Sequence, residues 1–470
     1  MFVIQADSTV HEINNCKTLW GVGSIRPDDD RLTWRGEAPI VQHGWVEVGI
    51  GFTAVSNGSA TISFSRNAWK DGLEIKNLKG RHVKIEGDGL ERKLTLCAGR
   101  QSAISFQVRA KSIPGAVEMP RLPNTGTPAH KAVDSFKRGV NLGNSLEVPP
   151  DENWKEEYTA ADMKAIKQEG FDHVRIPCAW HHHTGKEPNF KIKRDFFKQV
   201  NSLVTAAINN NLAVIVNWHH FDDFMADPKT HTDQLIKGWE QIAEYFAEHS
   251  GVIAFELLNE PCDNAETFVM NGIYARLIKV IRQKAPDNTL FIGPGSWNSV
   301  MELENLWLPG NESNIVVTVH DYEPFLYTHQ GASWNSPQTD TTNICFPGPP
   351  AKPVTPAHEY TGSDTWVANW FDAYNTLPAE WNPNGIFALD RSMKIAVEWS
   401  NHFGRPVHVS EWGCIADVCP KSRAVYHAVK RRFLEDMQLP WTLWSWKSNF
   451  RYWDTEEKGP MPGLRHALFP

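Results

Sequence analysis

The sequence has no excess of positive charge. Its 47 Lys and Arg are outnumbered by 55 Asp and Glu, giving a net charge of -8 over 470 residues. The broad basic surface of a general nucleic-acid binder is therefore missing, and no nucleic-acid partner is expected. No apolar run approaches the ~18–20 residues needed to cross a bilayer, so no membrane span is expected. The amino terminus, MFVIQADSTVHEINN, lacks a basic stretch followed by an apolar one, so no signal peptide is visible. Cysteine is sparse: 7 scattered residues exclude a disulfide scaffold, and no CxxC pair occurs to suggest a structural zinc site. Cys414 and Cys419 are close enough in sequence to pair, and are equally compatible with packed thiols. Tyrosine is scarce, with 9 residues against 20 Trp. An indole needs a large pocket and a partner for its N–H. So many imply an aromatic-rich core or surfaces built to stack on flat rings, sugars among them. Hydrophobic residues at 41% and charged residues at 22% exclude wholesale disorder.

Two regions and a linker are expected. Residues 1–111 carry short alternating runs, such as Trp45–Val55 and Ala103–Arg109. Between runs lie Asn57-Gly58, Asp71-Gly72 and Asp88-Gly89, dipeptides that favour hairpins. This reads as a small β-sandwich-like domain, either a carbohydrate-binding module using Trp20, Trp34, Trp45 and Trp69 or an immunoglobulin-like spacer. Residues 112–130 hold four prolines and read as a stiff linker or a segment draped over a neighbour.

From residue 131 to 470, eight short apolar runs alternate with amphipathic stretches. The runs are Arg138–Gly143, His173–Cys178, Ala213–Trp218, Ile253–Leu258, Thr289–Pro294, Ile315–His320, Pro406–Glu411 and Trp441–Trp446. Several are nearly continuous aliphatic segments, as parallel strands buried on both faces require. Eight such strands with helical crossovers over this length predict a (β/α)₈ TIM barrel, an α/β fold. A doubly wound open sheet is the alternative, but no GxGxxG-type loop supports it.

In a barrel, functional residues gather at the carboxyl ends of the strands. The runs end on, or contain, Asn141 to Asn144, Arg175, Asn217 to His220, Asn259-Glu260, His320 to Tyr322, Ser410-Glu411-Trp412, and Trp444 to Trp446. A polar residue that merely follows its strand into solvent explains any one of these better than seven of eight. Glu260 and Glu411 follow runs four and seven, which stand across the barrel from one another. Two such carboxyls can flank a bond laid over the mouth, as glycoside hydrolysis requires.

These motifs, in this order, make residues 131–470 resemble glycoside hydrolase family 5. They are Arg138-Gly139-Val140-Asn141-Leu142-Gly143-Asn144, Val174-Arg175-Ile176-Pro177, Asn217-Trp218-His219-His220, Leu258-Asn259-Glu260-Pro261, His320-Asp321-Tyr322, Ser410-Glu411-Trp412-Gly413 and Trp446. The resemblance implies a retaining hydrolase with Glu260 as acid/base and Glu411 as nucleophile. Arg175, His219, Asn259, His320, Tyr322 and Trp446 would bind substrate or support the acids, with Trp446 as the sugar platform. Asn144, His183, Trp297 and Trp334 are further expected sugar contacts, with Trp180 and Trp412 as weaker ones. No cofactor or metal is expected, because the consecutive His181, His182 and His183 cannot easily converge on one ion.

The segment Thr328-His329-Gln330-Gly331-Ala332 resembles a loop of cellulase-like members and tilts the substrate toward β-1,4-glucan. β-Mannanase, xyloglucanase and exo-acting β-glucosidase activities remain open, as does a non-catalytic glycan binder. A monomer acting on a β-glucan polysaccharide or oligosaccharide is expected. Secretion or a periplasmic location follows from the substrate. Residues 333–385, rich in Pro, Trp and Asn, are expected to be a long loop bordering the cleft.

Overall fold

The computed structural model describes residues 2–6, 11–12, 24–28, 31–36, 46–54, 58–64, 73–88, 91–97, 101–110, 119–379 and 382–470. Trp20, Trp45, Trp69, the side chain of Trp34 and residues 112–118 of the expected linker lie outside them. The chain forms two compact units, Met1–Glu118 with Pro347–Ile395, and Met119–Phe346 with Ala396–Pro470.

In the first unit the described strands form two antiparallel sheets, one of six strands and one of four. Val46–Ala54 pairs with Gln101–Ala110 in a register that sets Val48 opposite Phe106 and Ile50 opposite Ile104. Ile104 and Phe106 are buried, as the alternation predicts. Of the three Gly-containing dipeptides, only Asp88-Gly89 lies between two strands that pair directly, Val83–Glu86 and Glu91–Leu96. Asn57-Gly58 and Asp71-Gly72 each connect strands of different sheets. The dipeptides favour turns, but they do not choose the next strand's hydrogen-bond partner. The expected loop 333–385 also holds a helix, Thr365–Thr376, whose buried Val367, Phe371 and Tyr374 lie on one stripe.

The second unit is a closed barrel of eight strands. They are β1 (Arg138–Asn141), β2 (His173–Cys178), β3 (Ala213–Trp218), β4 (Ile253–Glu256), β5 (Leu290–Ile292), β6 (Ile315–His320), β7 (Val407–Glu411) and β8 (Trp441–Leu443). Each pairs in parallel with the next, and β8 returns to β1. Around them run α1 (Ala160–Glu169), α2 (Arg194–Asn209), α3 (Pro228–Phe246) and α4 (Thr267–Lys284), each at an amphipathic stretch of the sequence. Helix α2 is typical, with Phe196, Val200, Leu203 and Ala207 turned to the barrel. Residues 119–127 lie against this unit, with the Leu122 amide donating to the Phe403 carbonyl at 2.9 Å. Among the described residues no helix is long and apolar enough to cross a membrane.

The barrel lumen changes character along its axis. At the amino end Phe136, Ala213, Ile215, Ala254, Phe291 and Val316 form an apolar plug. One pleat further, polar groups take over: His173 bonds Thr442 Oγ1 at 2.7 Å, and Thr318 bonds Ser410. Beyond these come Arg175, Glu256, His320 and Glu411. The same period-two alternation thus delivers apolar residues to the floor and titratable ones to the mouth. Gly139 is needed in β1 because a Cβ there would land on the His173 imidazole. Gly139→Ala should therefore destabilise the fold by about 1–3 kcal/mol. An unfolding midpoint in urea identical to the wild type would contradict this packing.

Candidate active site

The mouth is organised around Arg175 on β2, whose side chain is fully buried. Its Nε and Nη2 donate to Glu256 at 2.6 and 2.8 Å. Its Nη1 donates to Asn141 at 2.8 Å and to Glu411 Oε1 at 2.7 Å, and Nη2 also donates to Asn259 at 2.6 Å. All five guanidinium N–H groups are thus used. Asn141 is itself anchored, donating to the carbonyls of Ser410 and Leu443 at 3.0 and 3.2 Å. One cation therefore ties together β1, β2, β4 and β7.

Glu411, at the end of β7, is held at both oxygens. Arg175 takes Oε1, and the Tyr322 hydroxyl donates to Oε2 at 2.9 Å. Glu260 follows β4 with a left-handed backbone (φ 48°), and its Oε1 lies 2.7 Å from His320 Nδ1. Reactive atoms of Glu260, His320 and Glu411 all lie within 4.8 Å of one another. Burial raises the pKa of both carboxyls. For Glu411 this rise is opposed by His320, Arg175 and the Tyr322 hydrogen bond; for Glu260, by His220, Arg175 and Asn259. Burial pushes the His320 imidazole down to about 4, so it is neutral at neutral pH. His219 Nδ1 lies 2.9 Å from Asn217 Oδ1, and burial holds its pKa well below the usual histidine range. The trio Glu260, His320 and Glu411 is the one group of three potential metal ligands found among the described residues. The Arg175 cation already neutralises Glu411 there.

The aromatic assignments need correction. Trp446 is fully buried, sandwiched with Tyr452 and Trp453, and its indole N–H donates to Asp162 at 3.3 Å. It cannot serve as a sugar platform. The rim indole of β8 is Trp444, half-buried, with its ring parallel to that of His219 (centroids 5.7 Å apart, 11° between planes). Gly143 makes room for it, since a Cβ there would come within 2.8 Å of the indole. The sequence does not separate the two: residues 444 and 446 point the same way in an ideal strand, but β8 ends at Leu443 and the chain bends after it. Trp180 and Trp412 are also core residues, buried completely. His183, half-buried, stacks on Phe196 of α2 at 3.7 Å, while His181 stacks separately on Phe221. Cys414 is buried and Cys419 is exposed, both as thiols, so the possible pair is not formed.

Other expected residues do lie open. Trp297 is 57% exposed directly after β5, its amide bonded to the carbonyl of Pro261 beside Glu260 at 3.1 Å. Trp334 is 54% exposed and reaches Tyr322 through Phe450, with ring centroids 6.4 and 5.8 Å apart. Asn144 is half-buried at φ 61°, and its amide donates to Glu147, as does that of Ser145 at 2.8 Å. Glu147 and Glu256 also belong to the mouth, and the sequence motifs do not include them. A glutamate closing the aliphatic run Ile253–Phe255 was the available sign for Glu256. Among the described residues nothing comparable marks Glu147, which is legible only from its burial.

Two outcomes follow. Arg175→Met would leave Glu256 and Glu411 buried without their counter-charge, and should cost about 3–5 kcal/mol of stability; an unfolding free energy within about 1 kcal/mol of the wild type, the margin of a denaturant extrapolation, would contradict the hub. Burial pushes the Glu147 carboxyl up to about 7. A raised pKa means its contribution is fully present below about 4.5 and is lost as pH rises through about 7. The stability of Glu147→Gln relative to wild type should therefore improve between about pH 5 and about pH 8, the window that spans this shift. A pH-independent difference would contradict it.

Comparison with known proteins agrees with this geometry. The family described as Cellulase (glycosyl hydrolase family 5) matches residues 133–450. Endoglucanase H of Acetivibrio thermocellus is 33% identical over 232 residues, 47% of this chain and 25% of that protein. Endoglucanase 3 of Fibrobacter succinogenes is 27% identical over 343 residues, 68% of this chain and 51% of that protein. The chain thus spans only a quarter to a half of these two relatives. Among solved structures, endoglucanase Cel5A of Thermotoga maritima has a TM-score of 0.62 and 29% identity, covering 73% of this chain and 100% of that one. The same enzyme has been solved with cellobiose and with mannotriose. With the barrel, the paired acids and the family match over most of its length, the chain belongs to glycosyl hydrolase family 5.

Proposed function

We propose that the barrel is a retaining endo-β-1,4-glucanase acting on cellulose-like or mixed-linkage glucan, with Glu260 as acid/base and Glu411 as nucleophile. The observation that carries this is the facing pair of carboxyls, with oxygens within 4.8 Å. Retention uses carboxyl groups ~5–5.5 Å apart, and inversion needs ~6.5–9.5 Å to admit a water between them.

The environments divide the labour. Glu411 is bonded to a permanent cation and a phenol, both of which favour its ionised form. Glu260 is bonded to a neutral imidazole, and burial favours its protonated form. In the first step a Glu411 oxygen bonds to the anomeric carbon as the glycosidic C–O bond breaks. The Glu260 proton goes to the departing oxygen. In the second step Glu260 takes a proton from water, whose oxygen displaces Glu411. Asn259, fixed by Arg175, is placed to bond the sugar 2-hydroxyl, a contact that strengthens in the transition state. Trp444 replaces Trp446 as the platform beneath the reacting sugar. Trp297 and Trp334 are proposed to stack on sugars further along the chain, and Asn144 and His219 to bond hydroxyls.

The names of the relatives favour glucan. A mannan substrate is the second reading, favoured by the mannotriose complex of the Thermotoga maritima enzyme. Polymeric glucan lies outside cells, so a secreted or periplasmic site of action goes with the proposal. Reducing-end release from carboxymethylcellulose, barley β-glucan, xyloglucan and mannan tests it. The glucans should be cleaved internally, with fast viscosity loss; activity on mannan alone would contradict the substrate. Glu260→Ala should lower kcat by about 10²–10⁴-fold on glucan, and a loss under about 10-fold would contradict its role as general acid.

A further inference from the structure

Directly after β5 the backbone does something costly. Ser296, Trp297 and Asn298 all take left-handed conformations, at φ 54°, 58° and 55°. None is glycine, and a run of three is rare because each Cβ crowds its own carbonyl. The run is fastened from several sides. Gly295 N donates to Thr267 at 2.9 Å, Trp297 N to the Pro261 carbonyl at 3.1 Å, and Ser299 bridges to His320. Its effect is to send Trp297 outward while Asn298 is driven inward and fully buried. Gly293 leaves space for that side chain, as a Cβ there would sit 2.6 Å from Asn298 Oδ1. Strain held this firmly points to a functional placement.

What Asn298 meets is the far side of His320. Its Nδ2 lies 3.3 Å from His320 Nε2, while His320 Nδ1 lies 2.7 Å from Glu260 Oε1. A neutral imidazole has one N–H and one lone pair. If the N–H is to face the Glu260 carboxyl, the lone pair is on Nε2 and needs a donor. The amide nitrogen of Asn298 is that donor, and its Oδ1 is left buried without a partner. We propose that Asn298 is a positioning residue that fixes His320 as the neutral Nδ1–H tautomer, so that His320 always donates to Glu260 Oε1 and the transferable proton is confined to Oε2. One tautomer then serves both halves of the reaction, since Oε1 accepts the same hydrogen bond whether Glu260 is acid or carboxylate. The other titratable or charged groups near His320 and Glu260 are Glu411 (Oε2 3.7 Å from Nδ1), Arg175, Glu256, His219, Tyr322 and, beside Glu260, His220, whose pKa burial lowers. They set the field but none occupies Nε2. The inference rests on the assignment of Glu260 as acid/base.

The test compares wild type with Asn298→Asp, which keeps the shape but offers only an acceptor, and Asn298→Ala. Each is assayed against pH on barley β-glucan, whose leaving group needs protonation, and on 2,4-dinitrophenyl β-cellobioside, whose leaving group does not. On glucan kcat/KM should fall about 10-fold or more. On the dinitrophenyl substrate the loss should be under about 3-fold, because general-acid help contributes little to a leaving group that departs unprotonated. In Asn298→Asp the basic limb of the glucan profile should move down by about one pH unit, as an imidazolium facing Glu260 lowers its pKa. Equal losses on both substrates with an unmoved limb would overturn the proposal, since a merely structural defect behaves that way. Independently of any variant, ¹⁵N shifts of wild-type His320 at neutral pH should show a protonated Nδ1 and a bare Nε2. A protonated Nε2 would overturn it. A wild type that cleaves neither substrate would sink the glucanase reading and this inference with it, whereas an active wild type with unaffected variants sinks the inference alone.

Discussion

The buried guanidinium of Arg175 is the interaction on which the rest of the mouth depends. A cation taken out of water is tolerated only when its charge is matched and its donors are filled. Here Glu256 takes two donors, Glu411, Asn141 and Asn259 take the others, and nothing is left over. These partners come from β1, from β4 and its carboxyl end, and from β7, so the charge balance also fixes geometry. Glu256 never needs to meet substrate. Its charge lets Arg175 stay buried while still serving Glu411. The two acids share a site but not an environment, because only one of them is bonded to the cation.

The barrel makes this arrangement possible by sorting side chains along its axis. An apolar floor of Ile215, Ala254, Phe291 and Val316 supplies burial, and the next inward positions supply polar groups. The βα turns then add what strands cannot. Glu260 reaches His320 from a left-handed residue, and Asn298 reaches the same imidazole from a left-handed run on the next strand. Imidazole, amide and carboxyl form one line behind the acid, while phenol, guanidinium and carboxyl form another behind Glu411.

Much of this was legible in the sequence, for physical reasons. Parallel strands buried on both faces are rich in aliphatic residues, so eight apolar runs are visible in the sequence, and the polar or aromatic residues in or just after seven of them mark the mouth. Arg175, Asn259, Glu260, His320, Tyr322 and Glu411 were found in this way, and the structure brings them together. Turns were harder. Whether Trp444 or Trp446 faces the mouth depends on where β8 stops, which a two-residue difference in an aromatic-rich run does not reveal. Asn57-Gly58 and Asp71-Gly72 favour turns but do not name strand partners, so the sheet order of the first unit is hidden in the sequence. Glu147 and Asn298 matter through burial and backbone conformation, neither of which leaves a pattern in residue types. Indoles were the most ambiguous signal. The same residue type packs the core at Trp180, Trp412 and Trp446 and stands exposed at Trp297 and Trp334.

The central claim is that the hub holds Glu260 and Glu411 at the separation for double displacement. Following the hydrolysis of a β-linked cello-oligosaccharide by proton NMR in the first minutes tests it most directly. The account predicts that the β-anomer of the new reducing end appears first and the α-anomer grows in only by mutarotation. First appearance of the α-anomer would mean single displacement and would contradict it.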